Sequence, residues 1–230
     1  MKYIGIIVAE DKELEAVLDV MSDISDEKIY DIDVHFGKIG DVSCLVVKAG
    51  IGKVNAGRTT QIIIDKFEIS SVINIGAGGA TDSVLKIGDV VISKGLVQYD
   101  FDVTAFGREK GFISGVGKIF EADKTLISLC EKAFDLCGIR YEEGIIATGD
   151  KFVDSKEEKK EIGDEFDAKC VEMEGAAIAH VCTLCNVPFV VIRSISDELD
   201  GEAKVDFEEF LETVSKKCAD VLKIVLPNLM

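Results

Sequence analysis

Apolar runs of strand length alternate along this chain with stretches of helical spacing. YIGIIVA (3–9) is a continuous apolar run, followed by EDKELEAVLDVM (10–21), where Leu14, Val17, Leu18 and Met21 recur at helical intervals. IYDIDVHFGKIGDVSCLVVKAG (29–50) alternates on its first arm and predicts a hairpin turning within residues 37–41. KVNAGRTTQIIIDKF (53–67) predicts a helix, and SSVINIG (70–76) a buried strand ending in the glycine-rich GAGGA (76–80). LKIGDVVISKGLVQYDFDV (85–103) predicts further strand, with a turn at 87–89. DKTLISLCEKAFDLCG (123–138) predicts a helix closed by Gly138 as C-cap.

The alternation continues to the end of the chain. YEEGIIATGD (141–150) predicts a strand, SKEEKKEIGDEF (155–166) a polar helix, AKCVEM (168–173) a strand and EGAAIAHVCTLCN (174–186) a helix. VPFVVIRSIS (187–196) predicts a buried strand. Phe207, Phe210, Leu211, Val214, Cys218, Val221, Leu222 and Val225 mark the apolar face of a last helix. Continuous apolar strands between helices imply an α/β sheet covered on both faces. No linker or repeat interrupts the pattern, so residues 1–230 are expected to form one domain. The segment 103–123 is long for a loop, and long loops are usually functional or interfacial.

Composition narrows the function. The chain is 47% apolar and 30% charged, as in an ordered globular protein, with a net charge of −17. Such a surface repels phosphate backbones and disfavours nucleic-acid binding. Seven cysteines, an odd number among apolar neighbours, argue against a disulfide framework. Cys182 and Cys185 form C-x-x-C late in a predicted helix, where no helix N-terminus would activate a thiol, and read as packing residues. The two histidines have no metal-ligand spacing, so no metal site is expected. The N-terminal run lacks a signal-peptide pattern and no segment is long enough to span a bilayer, which predicts a cytoplasmic protein without membrane association.

Ligands of open α/β sheets bind beyond the carboxyl ends of the strands. Acids recur at those places: Glu13 after the first strand, Asp150 with Phe152 after YEEGIIATG, Glu174 after KCVEM, and Asp197 after RSIS. Each has a plainer reading. Glu13 suits a solvated first helical turn, Asp197 a helix N-cap, and GAGGA a tight turn, since it lacks the Lys-Ser/Thr of a P-loop. Arg193 and Glu172 are harder to dismiss, because each interrupts an apolar run where a charge is costly unless paired. Several carboxyls, one arginine and no catalytic Cys/His pair suit displacement at a sugar carbon, with one acid protonating the leaving group and another activating water.

GIIVAEDKELEAV, KAGIGKVNAG, NIGAGG, LKIGDVVIS, DVTAFG, TGDKFV, VEMEGAAIAHVC, VPFVVIRSISD and FEEFL occur in this order along nearly the whole chain. Together they resemble the 5′-methylthioadenosine/S-adenosylhomocysteine nucleosidase family of the nucleoside phosphorylase superfamily. The resemblance implies an α/β single-domain three-layer sandwich with a mixed, twisted central sheet flanked by helices, usually a homodimer. It implies hydrolysis of the bond between adenine and a 5′-thio-substituted ribose, with no cofactor or metal. Asp197 then corresponds to the acid that protonates the departing purine, oriented by Ser196. Glu13 corresponds to the residue that activates water, and Glu174 to the one that grips the ribose hydroxyls. Met173 would pack on the ribose, Phe152 on adenine, and the Val153 backbone would read the base edge. Arg193 and Glu172 would support the water and ribose side, near Ala77 and Gly78. Ile51, Phe106 and Phe207 would form the 5′ pocket, with Val103 and Phe106 as candidates for donation across a dimer.

Two positions depart from the family pattern. Ala77 stands where a water-holding serine or threonine is common, and GFISGVGKIF lacks a proline of the 5′ pocket, with Ser114 near that place. Two other readings remain. A phosphorylase would need arginines to hold phosphate, yet only Arg58, Arg108, Arg140 and Arg193 exist and the first loop is the acidic AEDKELE. A non-catalytic nucleoside-binding module would lack the acid or the base, whereas Glu13, Glu174 and Asp197 are all present.

Overall fold

In the computed structural model, which describes residues 2–201 and 203–229, the first apolar run is strand β1 (Tyr3–Val8). It lies between two parallel neighbours, β4 (Val42–Lys48) and β5 (Ile69–Ala80). Flanked on both sides, its Ile6, Ile7 and Val8 are fully buried, as continuous apolar strands require. β3 (Ile32–Ile39) pairs antiparallel with β4 through the predicted hairpin, which turns at Gly40 and Asp41.

Two elements differ from expectation here. Helix α1 (Asp11–Leu18) stops short of Met21. The chain then forms β2 (Ser22–Ile29), an edge strand antiparallel to β3 whose residues are exposed except at its end. SDISDEKI has no apolar face to signal a strand; it extends because β3 offers it a hydrogen-bonding edge. GAGGA also corrects the tight-turn reading, since β5 runs straight through it to Ala80.

β5 is where the sheet closes. β10 (Phe189–Asp197) runs parallel to it from Val72 to Gly79, while β9 (Ala168–Glu172) pairs antiparallel at Gly79 and Ala80. β6 (Val90–Gln98) pairs with β10 and with β8 (Tyr141–Thr148), which pairs with β9. The five strands β5, β10, β6, β8 and β9 therefore form a closed ring of pairings inside a mixed sheet. The long loop holds a 3₁₀ turn at Thr104–Phe106 and the short β7 (Phe120–Glu121) against β6.

Helices cover the sheet: α2 (Lys53–Lys66), α3 (Lys124–Cys137), α4 (Lys156–Phe166), α5 (Gly175–Cys185) and α6 (Ala203–Val225). Asp123 caps α3 by accepting from the Thr125 and Leu126 amides, and Gly138 ends it in the left-handed region. Along α6, Val214, Cys218, Val221, Leu222 and Val225 are buried, while Phe207, Phe210 and Leu211 are half-buried. All seven cysteines are free thiols, and burial pushes the Cys182 thiol up, away from reactivity. Among the described residues, no helix is long and apolar enough to cross a membrane.

Candidate active site

Residues at or just beyond the ends of β1, β4, β5, β8, β9 and β10 line one cavity of about 290 Å³. The ring closure explains why: it brings β5, β9 and β10 together where their polar residues lie.

Glu13 is not a solvated helix residue; it is 4% exposed. From the first turn of α1 its carboxylate folds back to accept from the Ala9 amide at 2.8 Å and the Glu10 amide at 3.0 Å. The Ala77 amide, from β5, donates to the other oxygen at 3.1 Å. GAGGA thus supplies backbone at close range: a Cβ on Gly76 would stand 2.6 Å from Glu13 Oε1. Burial raises the Glu13 pKa against the pull of Arg193 and of the three amides, which strengthens it as a base.

Arg193 resolves the puzzle of charges in apolar runs. Its guanidinium pairs with Glu172 and donates to Asn74 Oδ1 at 2.7 Å, and Glu174 Oε2 lies 3.9 Å away. Burial opposes the Arg193 charge, but the carboxyls of Glu172, Glu174 and Glu13 outweigh it and raise its pKa. Glu172 accepts further from the Thr148 hydroxyl and from the Glu174 and Gly175 amides at 3.0 and 2.7 Å. It therefore ties the start of α5 to Arg193. Asn74 and Thr148 escaped the sequence reading, the one inside a buried strand and the other at a strand end.

Glu174 has fewer partners. One oxygen accepts from the Gly52 amide at 2.8 Å. Burial, reinforced by the Glu172 charge, pushes its carboxyl up to about 8, against the pull of Arg193 and Gly52. Free Glu174 is thus neutral where an unfolded glutamate, near 4.5, is charged. The native state binds the extra proton, so this group withdraws stability as pH climbs from 4.5 to about 8. Glu174→Gln should become more stable than the parent over that interval, by about 2–4 kcal/mol at its top. Urea melts at pH 5 and pH 8.5 test this; a gap independent of pH would refute it.

Asp197 ends β10 and is 2% exposed, so it is not a helix cap. Ser196 Oγ donates to its Oδ1 at 2.7 Å. Its Oδ2 is paired with the ammonium of Lys159, which is 1% exposed. Lys159 was hidden within the polar helix SKEEKKEIGDEF. The pair is accommodated by Gly79, where a Cβ would sit 2.7 Å from Asp197 Oδ2.

The remaining wall is mostly apolar. Ile51, Ala77, Gly78, Phe152, Met173 and Phe207 line it. The Phe152 and Phe207 rings meet edge-on at 5.6 Å. Val153 lines an adjoining recess of about 30 Å³ with Gly79, Phe152 and Asp197. Val103 and Phe106 do not line the cavity, and Phe106 is 84% exposed. Ala9, Glu10, Gly79 and Val171 line it without having been expected.

Comparison with known proteins gives the family and the fold. A family model described as the phosphorylase superfamily matches residues 3–227. A 5′-methylthioadenosine/S-adenosylhomocysteine nucleosidase of Exiguobacterium is 40% identical over 98% of this chain and 98% of its own. The Helicobacter pylori nucleosidase in complex with butyl-thio-DADMe-Immucillin-A superposes with a TM-score of 0.95 at 36% identity, covering 99% of each chain. A Helicobacter pylori structure described as futalosine hydrolase superposes equally, at 0.95 and 36%, over 99% of this chain and 98% of that one.

Proposed function

The chain belongs to the phosphorylase superfamily, among its 5′-methylthioadenosine/S-adenosylhomocysteine nucleosidases, and on that premise we propose how its residues divide the hydrolysis. The enzyme cleaves the N-glycosidic bond of these nucleosides, releasing adenine and the 5′-thio-substituted ribose. Asp197, whose carboxylate is ion-paired with Lys159 in the empty site, takes up a proton as the nucleoside binds and donates it to the purine ring as the bond breaks. The sugar left behind carries oxocarbenium charge, which Glu174 steadies from the side of the ribose hydroxyls. Those hydroxyls donate to Glu174 and favour its carboxylate form over the neutral form of the empty site. Glu13 takes a proton from the attacking water. Arg193 lies beside Glu174 and acts electrostatically on Glu13, and Glu172 anchors it.

Phe152 stacks on adenine, with the Val153 backbone at the base edge. Met173 packs on the ribose, and Ile51 and Phe207 receive the 5′ group. Without a hydroxyl at Ala77, water is left to Glu13, supported from behind the wall by Arg193. 5′-Deoxyadenosine fits the same scheme, since the 5′ wall is apolar.

The observation that carries this reading is the convergence of Glu13, Glu174 and Asp197 on one cavity with no arginine or lysine among its described lining residues. Phosphate would find carboxyls where it needs donors. Adenine release from methylthioadenosine, S-adenosylhomocysteine and 5′-deoxyadenosine should therefore proceed at the same rate with and without phosphate. A strict phosphate requirement would sink the proposal.

The chain acts as one domain and as a homodimer. Val54, at the start of α2, is 79% exposed, and Phe106 84%. Lys53 ties the two regions by its 2.6 Å bond to Asp100, near the loop that carries Val103 and Phe106. Burying this apolar surface against a second copy would bring Val103 and Phe106 to the partner's 5′ pocket. Sedimentation equilibrium should give twice the chain mass; a monomer with full activity would rule this out. Free thiols suit a reducing compartment, the cytoplasm.

A further inference from the structure

Lys159 lies behind the cavity wall, outside the set of groups that touch the cavity. It shares the buried face of α4 with Ile162 and Phe166, which are 4% and 5% exposed. A lysine in that place loses its hydration, and a hydrophobic pair of similar volume would hold α4 to β10 at least as well. What the lysine adds is a charge directed at one atom. Its ammonium pairs with Asp197 Oδ2 and lies 3.3 Å from the Glu198 carbonyl. Ser196 holds the other oxygen, and Gly79 leaves room for the carboxylate and for Lys159 Cε, 3.3 Å from where a Cβ would stand. Both oxygens of the one carboxyl assigned to the leaving group are thus fixed from the protein side.

We propose that Lys159 is a positioning residue for leaving-group departure, holding the Asp197 carboxyl in the orientation that meets the purine. This rests on the reading of Asp197 as the proton donor. Its consequence is selective. Lys159 matters for a leaving group that must be protonated, and not for sugar binding or water attack, which belong to Glu174 and Glu13.

The test compares two substrates with the same sugar: methylthioadenosine, whose adenine needs a proton, and 4-nitrophenyl 5-methylthioriboside, whose nitrophenolate leaves without one. Lys159→Met and Lys159→Gln should lose about 10²-fold in kcat on the nucleoside. KM should stay near its parent value, and the rate on the aryl riboside should be kept. Asp197→Asn, run alongside, should show the same selectivity. An equal loss on both substrates, no loss on the nucleoside, or failure of both Lys159 variants to fold would make the lysine structural and overturn the proposal. Full nucleoside activity in Asp197→Asn would instead overturn the acid assignment itself. A silent Lys159 substitution beside an inactive Asp197→Asn would overturn only the role of Lys159.

Discussion

Asp197→Asn is expected to lower kcat on methylthioadenosine by about 10²–10⁴-fold, the usual contribution of a positioned general acid. The nucleoside should still bind, because Phe152, Met173 and Glu174 keep their places on the cavity wall. An asparagine can accept from Lys159 with its carbonyl and donate to Ser196 with its amide, so the geometry of the pair is reproducible. Its charge is not. Lys159, 1% exposed, is left without a counter-ion. Breaking a buried pair in this way costs about 3–5 kcal/mol. Loss of turnover should therefore come with a lower unfolding midpoint. Steady-state kinetics, equilibrium binding of the uncleaved nucleoside and urea melts separate the two effects. Rates close to those of the parent would remove Asp197 from the chemistry.

The same ion pair shows where sequence reading stops. Strands buried on both faces are continuous apolar runs, so β1, β5 and β10 were legible, as were the helices with a clear apolar stripe. β2 was not, because an exposed edge strand has no pattern of its own and is specified by its neighbour. GAGGA was ambiguous for a related reason. Its glycines serve close approach by Glu13 and by Asp197, contacts 63 and 118 positions distant in the chain, so no local rule distinguishes them from a turn. Lys159 did leave a trace: it precedes Ile162 by three positions and Phe166 by seven, the spacing of one helical face. A lysine on the apolar face of a polar helix calls for a buried partner. The partner itself, Asp197 at a strand end far along the chain, is visible only after folding. Arg193 and Glu172 were the opposite case, since their cost inside apolar runs demanded that they meet, and they do.

Glu13→Gln should be nearly as damaging to turnover, about 10²–10⁴-fold in kcat, because a neutral amide cannot take the proton from water. It should also be less well tolerated by the fold than its small change in size suggests. The carboxylate accepts three backbone amides, two on Oε2 and one on Oε1. A glutamine presents one acceptor and one donor. If its carbonyl keeps Ala9 and Glu10, its amino group points at the Ala77 amide, donor against donor. If it is reversed, two amides are lost. Either arrangement leaves a buried N–H unsatisfied, at about 1–3 kcal/mol. At the same time the substitution removes one of the three carboxyls that favour the Arg193 charge. The expected enzyme is therefore slow and somewhat less stable, with KM for methylthioadenosine close to the parent's, since Glu13 acts on water and Glu174 on the ribose. A large rise in KM with kcat unchanged would show that Glu13 binds the sugar, and the division of labour among the three acids would have to be redrawn.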